Sequence, residues 1–371
     1  MLKKFEVTNF KNFKDTLSFD LSKTKSYEFN PKCVKSGIVN KSLVYGYNGV
    51  GKSNLGFAIF DLISHLTDRN NGAHCYENYL NAYMRDGIAE FKYVFSFKQG
   101  EVVYEYGKSD LESLVYERLT INGSDFASID RRQNSVAKIN AAGAESLKTD
   151  VGTSSISIVS YIKKNSILEG TIDNECFFEF IDFINGMLFF RSLDKNDYIG
   201  LEQGGGSIGA DIVEQGHLEG FESFLNEAGV ECKLGLMGEG DANKIGFDFD
   251  GKLIPFFEIA SQGTKSLSLF YFWLQRLKGE GSPVTFLFID EFDAFYHHDL
   301  SALIVDMLRN VKAQVIITTH NTSVMTNDLL RPDCYFLMRS NGMHSLASST
   351  SKELREAHNI EKMYKAGSFS G

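Results

Sequence analysis

The chain has 371 residues, 43% hydrophobic and 13% aromatic, with 4 prolines and 33 glycines. That is apolar material for a large core, of about two or three domain-sized units, and it excludes a disordered, collagen-like or proline-rich linker protein. Forty-eight acidic against 38 basic residues leave a net charge of −10, which argues against a surface devoted to nucleic acid. The longest apolar run, 267–274, is too short for a bilayer span of about 20 residues. The opening MLKKFE turns charged before a signal-peptide core could form, so a cytoplasmic protein without a membrane partner is expected. Cys33, Cys75, Cys176, Cys232 and Cys334 are scattered, with no Cys-x-x-Cys pair. They predict reduced, mostly buried thiols rather than a zinc site or a disulfide framework. The histidines show no metal-ligand spacing, and the adjacent His297 and His298 would point apart.

In chain order, Phe5 and Val7 alternate with polar neighbours as in a half-exposed strand, and 42–45 is a short apolar strand. Leu55, Ala58, Ile59, Leu62, Ile63 and Leu66 keep helical spacing. Residues 89–98, 101–107 and 113–122 alternate with period two and predict an antiparallel meander. The stretch 123–170 is polar and carries no clear pattern. The apolar run 177–190 predicts a helix, and Gly204-Gly205-Gly206 predicts a flexible joint. From 245 onward the pattern is α/β, with strands at 285–289, 314–318 and 335–338 and a helix at 300–308. The two ends thus predict one split domain, 1–122 with 245–371, and 123–244 an inserted lid and partner-interaction subdomain.

The strongest chemical signal is Gly46-Tyr47-Asn48-Gly49-Val50-Gly51-Lys52-Ser53, a complete G-x-x-x-x-G-K-S between a strand and a helix. Such a loop surrounds phosphates with backbone N–H groups, and the following helix adds its positive end. Lys52 would bridge the β- and γ-phosphates and Ser53 would ligate Mg²⁺. The apolar strand ending in Asp290-Glu291 supplies the second half. Asp290 would hold Mg²⁺ through water, and Glu291 would orient and deprotonate the attacking water. Lys52 and Asp290 are 238 positions apart, far wider than in ring-forming motors or small GTPases. Ser261-Gln262-Gly263-Thr264-Lys265 precedes a helix predicted at 266–277, with Gly263 27 residues before Asp290, and Thr318-Thr319-His320-Asn321 follows a strand.

In this order the motifs resemble those of the ABC-type AAA family ATPases related to OLD, SMC and RecF heads. Among them are stand-alone phage-defence ATPases of the RloA and AriA type. The opening Asn9-Phe10-Lys11-Asn12-Phe13, the stretch Arg331-Pro332-Asp333 and the closing 359–367 are similar to the family's ends. The resemblance implies an α/β fold, an ABC/SMC-like P-loop ATPase head with an antiparallel β subdomain and an inserted helical lid. It implies ATP and Mg²⁺ as ligands, with Gly46, Asn48, Gly49, Val50, Gly51, Lys52, Ser53 and Asn54 around the phosphates. Lys11 and Asn12 would lie near the adenine and ribose. Ser261 and Gly263 become the signature loop, which completes the site of a partner chain, and His320 the switch histidine. The catalytic set is then Glu291, His320 and Lys52, the metal set Ser53 and Asp290, and the assembly a homodimer or higher oligomer around two ATP molecules.

Three departures refine this. No Q-loop glutamine is recognisable. Ser-Gln-Gly-Thr in place of Ser-Gly-Gly-Gln argues against a transporter subunit. The insertion is too short and aperiodic for a coiled coil, and the chain leaves no room for a TOPRIM nuclease, so any nuclease would be a separate protein. The favoured expectation is therefore the sensor of an anti-phage system that controls a separately encoded effector, such as a TOPRIM-type nuclease or a toxin. A DNA-repair or DNA-tethering head is the alternative, with Arg131-Arg132 and Lys163-Lys164 as its only basic candidates. An ATP-held scaffold that does not hydrolyse is a third.

Overall fold

The computed structural model describes residues 1–69, 76–191, 197–201, 208–238, 244–279, 281–292, 298–340 and 342–369. The chain opens with β1 (Leu2–Thr8), β2 (Leu17–Asp20), β3 (Lys41–Tyr45), α1 (Lys52–Phe60) and α2 (Ile63–Leu66). Next come β4 (Ala89–Ser96), β5 (Glu101–Lys108), β6 (Leu114–Ile121), β7 (Ser124–Asp130) and the short β8 (Lys138–Ile139). Strand β4 buries Ala89, Phe91, Tyr93 and Phe95 and turns the residues between them outward, the period-two pattern of a sheet with one face on a core. With β1 and β2 these strands form a seven-stranded antiparallel sheet ordered β8-β7-β6-β5-β4-β1-β2. The expected meander is present, and it extends into the polar stretch that carried no pattern.

After α3 (Ile158–Asn165) and α4 (Ile172–Asn185), β9 (Met187–Arg191) and β10 (Asp197–Gly200) follow. The apolar run 177–190, expected as one helix, is therefore divided at Gly186. A Cβ there would stand 2.4 Å from the Pro283 carbonyl oxygen, so the chain turns where only glycine fits. A buried helix and a buried parallel strand are both continuously apolar, which is why periodicity did not separate them. The chain continues through α5 (Ile208–Glu214), α6 (Leu218–Glu227), β11 (Leu234–Met237), β12 (Lys244–Phe249), β13 (Lys252–Pro255) and α7 (Phe256–Ile259). It ends with α8 (Gln262–Lys278), β14 (Phe286–Asp290), α9 (His298–Arg309), β15 (Gln314–Thr319), β16 (Tyr335–Arg339), β17 (Gly342–Ser345) and α10 (Ile360–Lys365).

The second seven-stranded sheet runs β10-β9-β14-β15-β3-β16-β17. Its five central strands are parallel and its two outer pairs antiparallel. Strand β15 lies between β3 and β14, so the two strands that lead into the phosphate loop and the Asp-Glu pair are not neighbours. Segment 123–244 supplies helices α3 to α6. It also gives β7 to the antiparallel sheet and β9 to the parallel one, so it shares hydrogen-bonded ladders with both ends of the chain.

Beyond its polar first turn, helix α1 is apolar from Leu55 to Phe60, all of it buried. Phe57 and Phe60 meet Phe189 at centroid distances of 5.5 and 5.3 Å on one side, and the Tyr93 hydroxyl donates to the Ala58 carbonyl at 2.8 Å on the other. The helical stretch expected to run through Leu66 breaks after α1, at Asp61. There the fully buried carboxylate takes Lys108 Nζ at 2.9 Å and the hydroxyls of Tyr79 and Tyr106, each at 2.9 Å. Among the described residues no helix is long and apolar enough to cross a membrane. Gly204-Gly205-Gly206, His297 and Cys75 lie outside the described residues.

Candidate functional site

Register places the candidate residues at one edge. Tyr45 pairs with Thr319, Ile289 with Ile317, and Arg191 with Asp290, so parallel strands β3, β15, β14 and β9 all end on the same side of the sheet. This is the edge at which open α/β sheets hold ligands. Residues 192–196, which follow β9, lie outside the described residues, and no Q-loop residue is assigned.

The glycine-rich loop turns from β3 into α1. Gly51 caps the helix at φ +107° and Gly49 sits at φ +77°, conformations that strain any residue with a Cβ. A Cβ on Gly51 would also strike the Asn12 side chain at 2.4 Å. Asn12 is the loop's brace: its Nδ2 donates to the Val50 carbonyl at 2.8 Å, and its Oδ1 accepts from Asn54 Nδ2 at 2.7 Å. Gly46 has no room for a Cβ either, with Val50 Cγ1 2.7 Å and the Met338 carbonyl oxygen 2.9 Å away. The loop is a fixed cradle, opening on the first N–H groups of α1 as an anion site requires.

Lys52 is 4% exposed. Its ammonium donates to the carbonyls of Gly46 at 3.0 Å and Tyr47 at 3.4 Å, and lies 2.6 Å from His320 Nε2. An ammonium has only donors, so as a hydrogen bond this contact uses Nε2 as the acceptor. Glu291 Oε1 lies 3.9 Å from the same Nε2, a close approach and not an ion pair while His320 is neutral.

Asp290 ends β14 almost fully buried, and its Oδ1 accepts the Thr318 hydroxyl at 2.6 Å. Its Oδ2 takes no hydrogen bond among the described residues. Together with the Ser53 hydroxyl on the first turn of α1, that is a hard oxygen donor set of the kind Mg²⁺ accepts beside phosphate. Glu291 follows at φ +46°, left-handed backbone in a residue with a Cβ. Its N–H donates to Thr318 Oγ1 at 2.8 Å. Thr318 entered the reading of the sequence only as a member of the segment Thr318-Thr319-His320-Asn321, with no role of its own; two threonines closing a buried strand were the available signal.

Lys11 and Asn12 part company. Lys11, at φ +48°, donates from Nζ to the Glu77 carbonyl at 2.9 Å and lies over the Phe57 ring at 5.7 Å. It lines a cavity of about 560 Å³ with Asn54, Tyr79 and Arg85. Asn12 lines another, of about 460 Å³, with Gly49, Val50 and Arg339. Ser261 caps α8: its Oγ accepts the Thr264 N–H at 3.1 Å and meets Thr264 Oγ1 at 2.9 Å. No hydrogen bond among the described residues joins 261–263 to the glycine-rich loop of the same chain. Ser261 instead borders a cavity of about 580 Å³ with Phe249, Ile259 and Thr264.

Three of the four basic candidates are engaged locally. Arg131 donates to the Ile156 carbonyl at 2.6 Å, Arg132 pairs with Asp130 at 2.8 Å, and Lys164 pairs with Asp68.

A family model described as "AAA domain, putative AbiEii toxin, Type IV TA system" matches residues 42–326. No curated protein matches the chain. Among solved structures, an SMC head bound to the C-terminal winged-helix domain of ScpA is 16% identical with a TM-score of 0.45, over 92% of this chain and 96% of that one. The SMC head domain of Thermotoga maritima is 16% identical at TM-score 0.42, over 92% and 97%. A Pyrococcus furiosus Smc head with an extended coiled coil, bound to the C-terminal domain of ScpA, is 17% identical at 0.44, over 94% and 97%.

Proposed function

The chain belongs to the AAA-domain family of that description, and from this premise we propose that it is an ABC-type switch ATPase that dimerises around ATP. One observation carries the reading: Lys52, just beyond the end of β3, and Asp290, Glu291 and His320, at the ends of β14 and β15 more than two hundred positions later, converge on one sheet edge beside a braced phosphate loop. The loop N–H groups and Lys52 would take the β- and γ-phosphates, and Ser53 and Asp290 would hold Mg²⁺, which would supply neutralisation of phosphate charge. Glu291 accepts a proton from the attacking water, and His320, beside both Lys52 and Glu291, senses the γ-phosphate. Lys11 would border the nucleoside end, and Asn12, expected there too, instead braces the phosphate loop.

The signature residues act on a second copy. Ser261 is bonded within its own helix turn, and around it Phe249, Phe257 and Ile259 stand 55%, 39% and 48% exposed, an apolar rim that suits a protein interface. A two-fold dimer would set Ser261 and Gly263 of one chain against the phosphates held by Lys52 of the other. ATP joins the heads and hydrolysis releases them. In this reading 123–244 is the lid that carries the state to a partner, and the biological role is an anti-phage sensor in the cytoplasm controlling a separate effector. A DNA-tethering head remains the second reading; of its basic candidates Arg131, Arg132 and Lys164 are tied to neighbouring carbonyls and carboxylates.

The test is ATP turnover and light scattering of the wild type, Glu291→Gln, and an equimolar mixture of Lys52→Ala with Ser261→Arg chains. Turnover lost in Glu291→Gln with an ATP-stabilised dimer, and activity regained on mixing two inactive chains, are expected. A wild type that neither hydrolyses nor dimerises with ATP would sink the proposal.

A further inference from the structure

We infer that Thr318 is a positioning residue that sets both acidic residues of this edge at once. It rests on the reading of the site as ATP-hydrolysing, and gives a role to a residue of the His320 segment that had none.

Thr318 is the penultimate residue of β15, the strand inserted between those leading to the phosphate loop and to the Asp-Glu pair, and it is fully buried. Its single hydroxyl proton goes to Asp290 Oδ1 at 2.6 Å, and its oxygen accepts the Glu291 N–H at 2.8 Å. A hydroxyl has one proton and two lone pairs, so one atom holds two consecutive residues of the neighbouring strand end in opposite senses. The first bond fixes which Asp290 oxygen faces away from the sheet. The second holds the peptide that precedes the left-handed turn at Glu291, φ +46°. A residue with a Cβ keeps that conformation only where its surroundings over-determine it, and the Thr318–Glu291 bond is such a constraint. The turn breaks the alternation of the strand and carries the Glu291 carboxylate to within 3.9 Å of His320. Without the hydroxyl this restraint on the turn is lost, and the Glu291 carboxylate shifts away from the site.

Valine has the shape of threonine without the hydroxyl, so Thr318→Val is the central variant, with Thr318→Ser as the conservative control and Thr318→Ala as a second deletion. ATP turnover, ATP affinity and the Mg²⁺ dependence of turnover are measured for each, alone and in the Glu291→Gln background. A misplacement of about 1 Å at a reacting group costs about 10²-fold. Thr318→Val and Thr318→Ala are therefore expected to lose about 10²-fold in kcat, with ATP affinity within about threefold and a several-fold higher Mg²⁺ requirement. Thr318→Ser is expected to keep turnover within about fivefold, because its hydroxyl can make the same two bonds. In the Glu291→Gln background the valine should cost little more, since residues acting as a unit are not additive. Absence of turnover in the wild type overturns the functional reading and this inference with it. Wild-type turnover that Thr318→Val and Thr318→Ala retain overturns the inference alone. Equal losses in serine and alanine, tracking thermal stability, would reduce Thr318 to a packing residue; if the valine chain does not fold, the serine–alanine contrast decides.

Discussion

Gly56 joins the packing of α1 to the chemistry at its first turn. In Gly56→Ala the added methyl would stand 2.7 Å from both Phe189 Cζ and Phe288 Cε1, about 0.7 Å inside the 3.4 Å of ordinary contact. Alanine favours a helix over glycine by about 1 kcal/mol, but overpacking a dense core costs about 1–3 kcal/mol. A net loss of up to about 2 kcal/mol and a fall in Tm of up to about 3 °C are expected for a chain of this length. Both phenylalanines are fully buried on the sheet, so the helix is the element that yields, and Lys52 rides on it one turn away. A displacement approaching 1 Å there would lower kcat/KM for ATP by about 10–100-fold. Thermal unfolding and steady-state turnover read the two effects separately, and Phe189→Leu in the same chain should restore part of both. A Gly56→Ala chain as stable and as active as the wild type would show that α1 does not need this close approach.

Lys108→Met strands the Asp61 carboxylate in the core and should cost about 3–5 kcal/mol in urea unfolding, much of it recovered by adding Asp61→Asn; strictly additive losses would contradict the pairing. Burial pulls the Lys41 ammonium down from 10.5 to about 7. Between those values the unfolded chain holds more protons than the folded one, so stability rises with pH across that window. Wild type should gain on Lys41→Met between pH 7 and 10, and a constant difference would refute this. Asn12→Ala removes the bridge from Val50 to Asn54 and should weaken ATP binding by up to about tenfold in calorimetry, with little change in Tm.

The local elements and the phosphate loop were legible because their signals are short-range. G-x-x-x-x-G-K-S needs only the turn it makes, and the alternation in β4 reports which face is buried. The apolar strand before Asp290 likewise announced itself as buried and parallel. Signals that depend on what lies opposite were not legible. The run 177–190 is uniformly apolar, and the break at Gly186 follows from the approach of Pro283, about a hundred residues away in the chain. Polar residues after 123 continue a meander only because β6 offers β7 a free edge.

By itself, then, the sequence determined that a strand, a glycine-rich turn and a helix would build a phosphate cradle, and that an apolar strand would end in two carboxylates. Tertiary structure decided where these meet. Inserting β15 between β3 and β14 brings His320 to Lys52 and Thr318 to Asp290 and Glu291. That placement depends on strand order, which arises from the burial of all five parallel strands at once rather than from any one segment. The left-handed turn at Glu291 has the same origin: no local preference of glutamate favours it, and a buried hydroxyl on the adjacent strand holds it.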